Sequence, residues 1–346
     1  MMVEFVGIDE FYLKSMSRNV AKLVPADASF FITGGTGIIG KWLVGFLTYL
    51  KTTTHKDISL SVLSRDPSKF KKKYPETNWV NMFKGDIVNE INAPCKKYDY
   101  FIHGATDVIK KNTFSETLDV NVLGTKNALN FAEKCNVKSF QLLSSGAVYG
   151  NQKCSELGFN ENDISLIDHT NSNCAYSLGK QIAEALVLNF GPEGKIKNKS
   201  ICRLFANYGP HVPLDSHFAI SNFVNDLVSG ADKLNIIGNG LTIRSYLHLQ
   251  DLVGAIIKVL MADNKVIDVF NIGSSKKISI FELASKVIEI SDRKLEIEVM
   301  GENIENAHSN IYFPNTDNFE NSFGQIDNVS FEKGLIKYID WAKNTR

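Results

Sequence analysis

Tyr176 and Lys180 stand four residues apart, one helical turn, so their side chains share a face. A phenol with its ordinary pKa of about 10 is a poor base at neutral pH. An ammonium one turn away stabilises the phenolate and makes the pair a candidate for moving a hydroxyl proton. Such pairs also occur on plain helix surfaces, so this one needs company. Ser145 closes the apolar run Phe140-Gln141-Leu142-Leu143 and offers a hydroxyl to the same substrate oxygen. Upstream, Thr33-Gly34-Gly35-Thr36-Gly37-Ile38-Ile39-Gly40 spaces Gly34, Gly37 and Gly40 by three. That spacing suits a tight turn where backbone approaches a phosphate and a helix packs close on a strand. The N–H groups opening the helix then face a pyrophosphate.

These residues need elements to hold them. Apolar residues 30–33 read as a strand, and Ile38, Ile39, Trp42, Leu43, Phe46, Leu47 and Leu50 recur at helical spacing. A second strand, 58–63, ends in Ser64-Arg65-Asp66. In dinucleotide-binding folds an acid here holds the ribose 2′-hydroxyl, whereas an arginine accommodates a 2′-phosphate. Ser64 and Arg65 favour NADP, and Asp66 keeps NAD open. A third strand, 79–83, leads to Gly85-Asp86-Ile87, where Asp86 either reaches the adenine ring or caps a helix. The fourth, 98–103, ends in Gly104 and Ala105, small enough to leave ligand space. His103 within it reads as a satisfied core histidine. A helix from Ser115 to about Cys135 turns Val120, Val122, Leu123, Ala128, Leu129 and Phe131 inward, with Asn121 near the site. A fifth strand covers 137–143, and a long polar loop 151–173 follows. The helix bearing Tyr176 continues through Ile182, Ala183, Ala185, Leu186 and Leu188, and a sixth strand spans 200–206. Strand and helix alternate throughout. The expected fold is α/β, a doubly wound parallel sheet of Rossmann type.

Residues 1–28 read as a leading helical segment with Ile8, Phe11, Leu13, Met16, Val20 and Leu23 on one face, packed on the body or on a second copy. Residues 29–210 form the dinucleotide-binding domain. Beyond 210 the alternation loosens, with helices at 218–229, 251–261 and 278–290 and strands at 234–237 and 266–272. Residues 211–346 are therefore expected to be mainly a smaller, irregular substrate lobe across a cleft. Some of its segments return to the first domain.

The 346 residues are 44% hydrophobic and 22% charged, with 38 basic and 38 acidic side chains. That is ordinary globular composition, and its zero net charge, with no lysine or arginine stripe, argues against a phosphate-tracking nucleic-acid binder. Five scattered cysteines, an odd number, give no zinc spacing and point to reduced thiols. No signal peptide is visible and no apolar run is long enough to cross a bilayer, so a cytoplasmic protein is expected.

From about residue 29 to 290 the chain resembles the extended short-chain dehydrogenase/reductase superfamily, in its nucleotide-sugar epimerase/dehydratase branch. The motifs that carry the resemblance are the glycine turn, Gly85-Asp86-Ile87, Asn121-Val122-Leu123-Gly124-Thr125, Ser144-Ser145-Gly146-Ala147-Val148-Tyr149-Gly150 and Tyr176-Ser177-Leu178-Gly179-Lys180. Arg203 ahead of Tyr208-Gly209-Pro210, and Arg244-Ser245-Tyr246-Leu247-His248-Leu249-Gln250-Asp251, complete the set. The resemblance implies an NADP or NAD cofactor whose nicotinamide accepts hydride from a sugar carbon. It makes Ser145, Tyr176 and Lys180 catalytic. It places Gly34, Thr36, Gly37, Ile38, Ile39, Gly40, Ser64, Arg65, Asp86, Ile87, Gly104, Ala105, Asn121, Tyr176 and Lys180 around the cofactor. Ser145, Gly146, Tyr176, Asn207 and Arg244 would meet a nucleotide-diphosphate sugar, Arg244 as the diphosphate clamp. It implies a homodimer and no metal, nucleic acid or membrane partner.

Departures from the family pattern narrow the reaction. Dehydratases of this branch carry an Asp-Glu pair just after the serine or threonine, and the decarboxylases carry a Glu before Val-Tyr-Gly. Here Gly146-Ala147 has no ionisable side chain. A departing hydroxyl then lacks a positioned proton donor. The expected activity is an epimerase working through a transient 4-keto-sugar, with an NADPH-dependent 4-ketosugar reductase as the alternative. A dehydratase or a non-catalytic dinucleotide sensor fits less well. Ala206 and Ser245 replace the usual asparagine and aspartate, which puts the sugar-nucleotide contacts in question.

Overall fold

The computed structural model describes residues 4–106, 112–150, 154–163, 166–191, 196–216, 218–262, 268–291, 293–301 and 310–345. The chain divides into two compact units. The first comprises 1–152, 161–204 and 253–270, and the second 153–160, 205–252 and 271–346.

The first unit is built on strands β1 (Ser29–Thr33), β2 (Ser59–Ser64), β3 (Asn81–Lys84), β4 (Tyr100–His103), β5 (Ser139–Ser145), β6 (Asn198–Leu204) and β7 (Asp268–Ile272). They stand in the order 7-6-5-4-1-2-3 within one sheet. Every register from β1 to β6 is parallel, for example Ile32 opposite Val62 on one side and Ile102 on the other. The doubly wound fold expected from the alternation is therefore present. Strands covered on both faces must be apolar along their length, and β1 is: Phe30, Phe31 and Ile32 are all fully buried. Phe31 lies among Tyr98, Phe101 and Phe131, which join β1 and β4 to the long helix that follows.

The chain starts as a hairpin, Glu4–Phe5 against Ile8–Asp9, rather than as a helix throughout. Helix α1 (Glu10–Val20) follows, with Asp9 accepting from the Phe11 amide as its cap. Leu13, Met16 and Val20 of the expected face are buried, but Phe11 and Leu23 point outward. Tyr12 takes the inward place instead, edge-on to Trp42 of α2 (Ile38–Thr53). Helix α3 (Pro67–Lys73) follows β2. Helix α4 (Phe114–Lys134) opens with a capping box between Thr113 and Glu116. Its buried stripe is Asn121, Gly124, Thr125, Ala128, Leu129, Phe131 and Ala132, so Leu123, expected inside, faces out. Helix α5 (Ala175–Asn189) likewise buries Ala183 and Val187 and exposes Ile182 and Leu188.

Cys95 and Cys135 form a disulfide across 40 residues of sequence, where reduced thiols were expected. Their Cα atoms are 5.1 Å apart because the loop before β4 runs past the end of α4. Spacing in the sequence carries no trace of that approach.

The second unit holds helices α6 (Ala219–Ser229), α8 (Ile280–Ile290), α9 (Asp317–Phe323) and α10 (Phe331–Asn344). Helix α7 (Leu249–Met261) begins in this unit and runs into the first. Short strand pairs link its loops: Lys233–Ile236 with Glu296–Val299, Ile243–Arg244 with Ile278–Ser279, and Asn207–Tyr208 with Leu247–His248. Tyr208, His248, Phe331 and Tyr338 pack together as its aromatic centre. The expected helix at 278 starts at Ile280, because Ser279 and Glu282 form a capping box. The strand expected at 234–237 is shifted, and Ile237 is exposed. Parts of three expected loops and strands, at 151–153 and 164–165, at 217 and at 266–267, lie outside the described residues. Among the described residues no helix is long and apolar enough to cross a membrane.

Candidate active site

The glycine turn joins β1 to α2 and is built by close backbone approach. Gly34 has φ of +75°, and a Cβ there would stand 2.5 Å from the carbonyl oxygen of Gly104. Only glycine permits both the dihedral and the contact. Gly40 lies against the backbone of Gly34 and Gly35, so α2 packs directly on the turn. Gly37 is the N-cap of α2, and no side chain caps that end. The amides of Ile38, Ile39 and Gly40 thus open a helix with positive end charge, at the carboxyl edge of the sheet. The cradle fits an anion, and with β2 and β4 alongside it fits a dinucleotide.

At the end of β2, Ser64 is buried and its hydroxyl accepts from the Asp66 amide at 3.2 Å. Asp66 caps α3 by accepting from the Lys69 amide at 3.0 Å. Asp66 is therefore occupied with its own helix, while Arg65 is exposed. Asp86 caps no helix, contrary to one of its two expected roles. It accepts from the Val88 amide in a tight turn. Ile87 is a core residue, packed on α4 at Gly124.

His103 is a core histidine, as its apolar strand implied. The Thr33 hydroxyl lies 2.7 Å from Nδ1 and the Thr125 hydroxyl 3.1 Å from Nε2. Thr125 spends its own proton on the Asn121 carbonyl, so Nε2 donates and Nδ1 accepts. Burial, helped by the Lys180 charge, pushes the ring down to about 3 and keeps it neutral. Asn121 gives its amide to Thr117 and receives the Thr106 hydroxyl, while Gly179 of α5 lies against it. The Ala105 amide points to Thr33 Oγ1 at 3.4 Å. This chain of bonds holds the ends of β1 and β4 to α4.

Ser145, Tyr176 and Lys180 meet within the first unit. Ser145 ends β5 and hydrogen-bonds Tyr176, and it accepts from the Ala147 amide at 3.1 Å. Gly146 opens the short turn after Ser145. Lys180 is buried and donates to the Leu143 carbonyl at 3.0 Å, with its nitrogen 5.9 Å from the Tyr176 ring centre. Burial lowers the Lys180 ammonium to about 8, although Glu184 opposes the shift. Burial raises Tyr176, against the hydrogen bond from Ser145. The lowering expected for the phenol is thus reversed in the protein alone, because desolvation outweighs the Ser145 hydrogen bond.

Asn207 and Arg244 belong to the second unit. Asn207 donates weakly to the Phe205 carbonyl at 3.3 Å. Arg244 uses Nη1 on the carbonyls of Ile243 and Asn310, at 2.8 and 2.9 Å, and its guanidinium lies over Tyr312. Among the described residues no carboxylate pairs with it, so it retains donors for an anionic ligand.

The model of the NAD dependent epimerase/dehydratase family matches residues 30–273. The chain belongs to that family. It is 30% identical over 276 residues to a dTDP-D-glucose 4,6-dehydratase of Dictyostelium discoideum, covering 75% of this chain and 61% of that protein. It is 25% identical over 263 residues to UDP-glucuronic acid decarboxylase 1 of Arabidopsis thaliana, covering 76% and 58%. The match thus spans less than two thirds of either relative. Among solved structures, the epimerase Mth375 of Methanothermobacter thermautotrophicus aligns with a TM-score of 0.77 at 22% identity, over 97% of this chain and 96% of that one. The UDP-glucuronic acid 4-epimerase of Bacillus cereus, solved with UDP-glucuronic acid and NAD, aligns at 0.75 and 18% identity, over 92% and 100%. These two show the fold.

Within this epimerase/dehydratase chain, the structure adds Glu184 to the site and joins it to Arg203. Glu184 accepts from the Ser144 hydroxyl at 2.5 Å and from Arg203 at 2.8 and 3.1 Å. The legible signal was spacing: Glu184 lies four residues past Lys180, on the face that Tyr176 already marks.

Proposed function

We propose that this protein epimerises a nucleotide-diphosphate sugar through a transient 4-keto intermediate. The observation that carries the reading is a site with Ser145, Tyr176 and Lys180 together and no ionisable side chain at Gly146-Ala147. Oxidation at one carbon, rotation of the ketone and return of hydride need a proton acceptor and an oxygen ligand, and no second acid. Tyr176 takes and returns the hydroxyl proton, Ser145 holds that oxygen, and Lys180 supplies positive charge beside the phenol. A nicotinamide dinucleotide, held by the glycine turn, would supply the hydride acceptor. Arg244 and Asn207 bind the nucleotide-sugar. Incubation with UDP-glucose and UDP-glucuronic acid, followed by proton NMR of the sugar, tests the reading. Inversion at C4 with no net change in cofactor absorbance supports it, and loss of water or carbon dioxide overturns it.

One observation favours a second reading, the NADPH-dependent 4-ketosugar reductase. Arg65 follows Ser64 at the corner where a 2′-phosphate binds, and Asp66 is occupied with α3. NADP is accordingly the proposed cofactor. Stoichiometric consumption of NADPH with a dTDP-4-keto-6-deoxysugar supports the reductase instead. We assign a homodimer to the outward faces of α4 and α5, where Phe114, Leu123, Ile182 and Leu188 are exposed.

A further inference from the structure

Behind the reacting face of α5 lies a buried set of charges that the proposed chemistry does not use. Tyr176, Lys180 and Glu184 follow at intervals of four along the helix. Lys180 and Glu184 are both nearly inaccessible. Glu184 accepts from Ser144, the residue just before Ser145, and from Nε and Nη2 of Arg203 on β6. The other arm of Arg203 donates to the Tyr149 hydroxyl at 3.0 Å and the Glu161 carbonyl at 2.9 Å. The guanidinium is thus anchored on both sides. We propose that Glu184 is a positioning residue that keeps Lys180 an ammonium and locks the Ser145 end of β5 to α5. This rests on the reading of Tyr176 and Lys180 as the reacting pair.

The surroundings leave this task to one residue. Lys180 faces Tyr176 and Glu184 on its own helix, neutral His103 on β4 and the Leu143 carbonyl on β5, while Ser144 and Arg203 bind Glu184 behind it. Helix α4 meets α5 here through Asn121. Glu184 is the one carboxylate acting on Lys180 among the described residues. Buried charge is retained only where an opposite charge offsets desolvation.

The test needs neither cofactor nor substrate. Protein labelled with 13C at lysine Cε is titrated by NMR, and the Lys180 signal is identified as the one missing in Lys180→Arg. Glu184→Gln should lower the Lys180 midpoint by about one unit or more, while Glu184→Asp stays near the native value. Arg203→Gln is the independent arm, should Glu184→Gln not fold, and should raise the midpoint. A midpoint within about 0.3 units of native in a folded Glu184→Gln or Arg203→Gln variant overturns the proposal. Turnover that survives Tyr176→Phe would instead overturn the reading beneath it.

Discussion

Lys180 gives its hydrogen bond to the Leu143 carbonyl, while the Tyr176 hydroxyl engages Ser145. The ammonium is thus fixed by the strand and reaches the phenol only through space, at 5.9 Å from its ring. In the proposed reaction this separates two duties: Ser145 would orient the phenol, and Lys180 would supply positive charge beside it.

Tyr176→Phe should therefore reduce turnover by a factor on the order of 10² to 10⁴, the usual worth of a positioned acid–base group. Thermal stability and dinucleotide affinity should stay close to native. Fluorescence titration with NADPH and a melting curve check both; a turnover rate within twofold of native would remove Tyr176 from the mechanism.

Arg65→Ala should weaken NADPH binding about tenfold or more and leave NADH binding nearly unchanged, as expected for one charge-assisted phosphate contact. Equal weakening of both cofactors would place Arg65 away from the 2′-position.

Arg244→Ala should weaken UDP binding by roughly 10- to 100-fold, with Arg244→Lys intermediate because a lysine lacks the bidentate fork. Calorimetry with UDP alone measures this without turnover. Unchanged affinity in the alanine variant would reassign Arg244 to its contacts with Asn310 and Tyr312.

The sheet and the juxtaposition of Tyr176 with Lys180 were legible because both depend on local rules. Apolar runs alternate with helical stripes, and Tyr176 and Lys180 are one turn apart. Where the sequence misled, a long-range contact had decided. Leu123 and Ile182 look like core residues by hydropathy, yet Gly124 takes an inward position against Ile87, and Gly179 takes one against Asn121 where α5 meets α4. Asp66 keeps NAD open in the sequence, where its bond to the Lys69 amide is not visible. The Cys95–Cys135 pair and the Glu184–Arg203 ion pair join segments far apart in the chain, and no periodicity reports such meetings. Helix α10 was readable, with Ser330 as cap and Leu335, Tyr338, Ile339 and Ala342 on one face, but it was not anticipated.

His103 makes stability sensitive to acid. Its ring is neutral in both states above its ordinary pKa of 6.5, so it has no effect there. Below 6.5 the unfolded chain takes up a proton that the folded ring refuses until about pH 3. Stability should fall by up to ~1.4 kcal/mol per pH unit across that window. His103→Asn should flatten the slope by one proton, as read from urea midpoints against pH; an identical slope would show that the ring charges without cost.

If the proposed dimer forms through α4 and α5, Leu123→Glu should convert it to monomers in size-exclusion chromatography with light scattering, since a buried unpaired carboxylate is costly at an apolar contact. A native elution volume would move the interface elsewhere.

The order of strands in the sheet also bears on synthesis. β7 is added beside β6 only after the whole of residues 205–267 has been made. Until then β6 is an open edge with unpaired amides and carbonyls, the kind of edge that recruits strands from other chains. The pairing also closes a long loop, which makes it a slow step. During translation at high expression, aggregation should begin from this edge, and truncations ending before residue 268 should be the most prone to it.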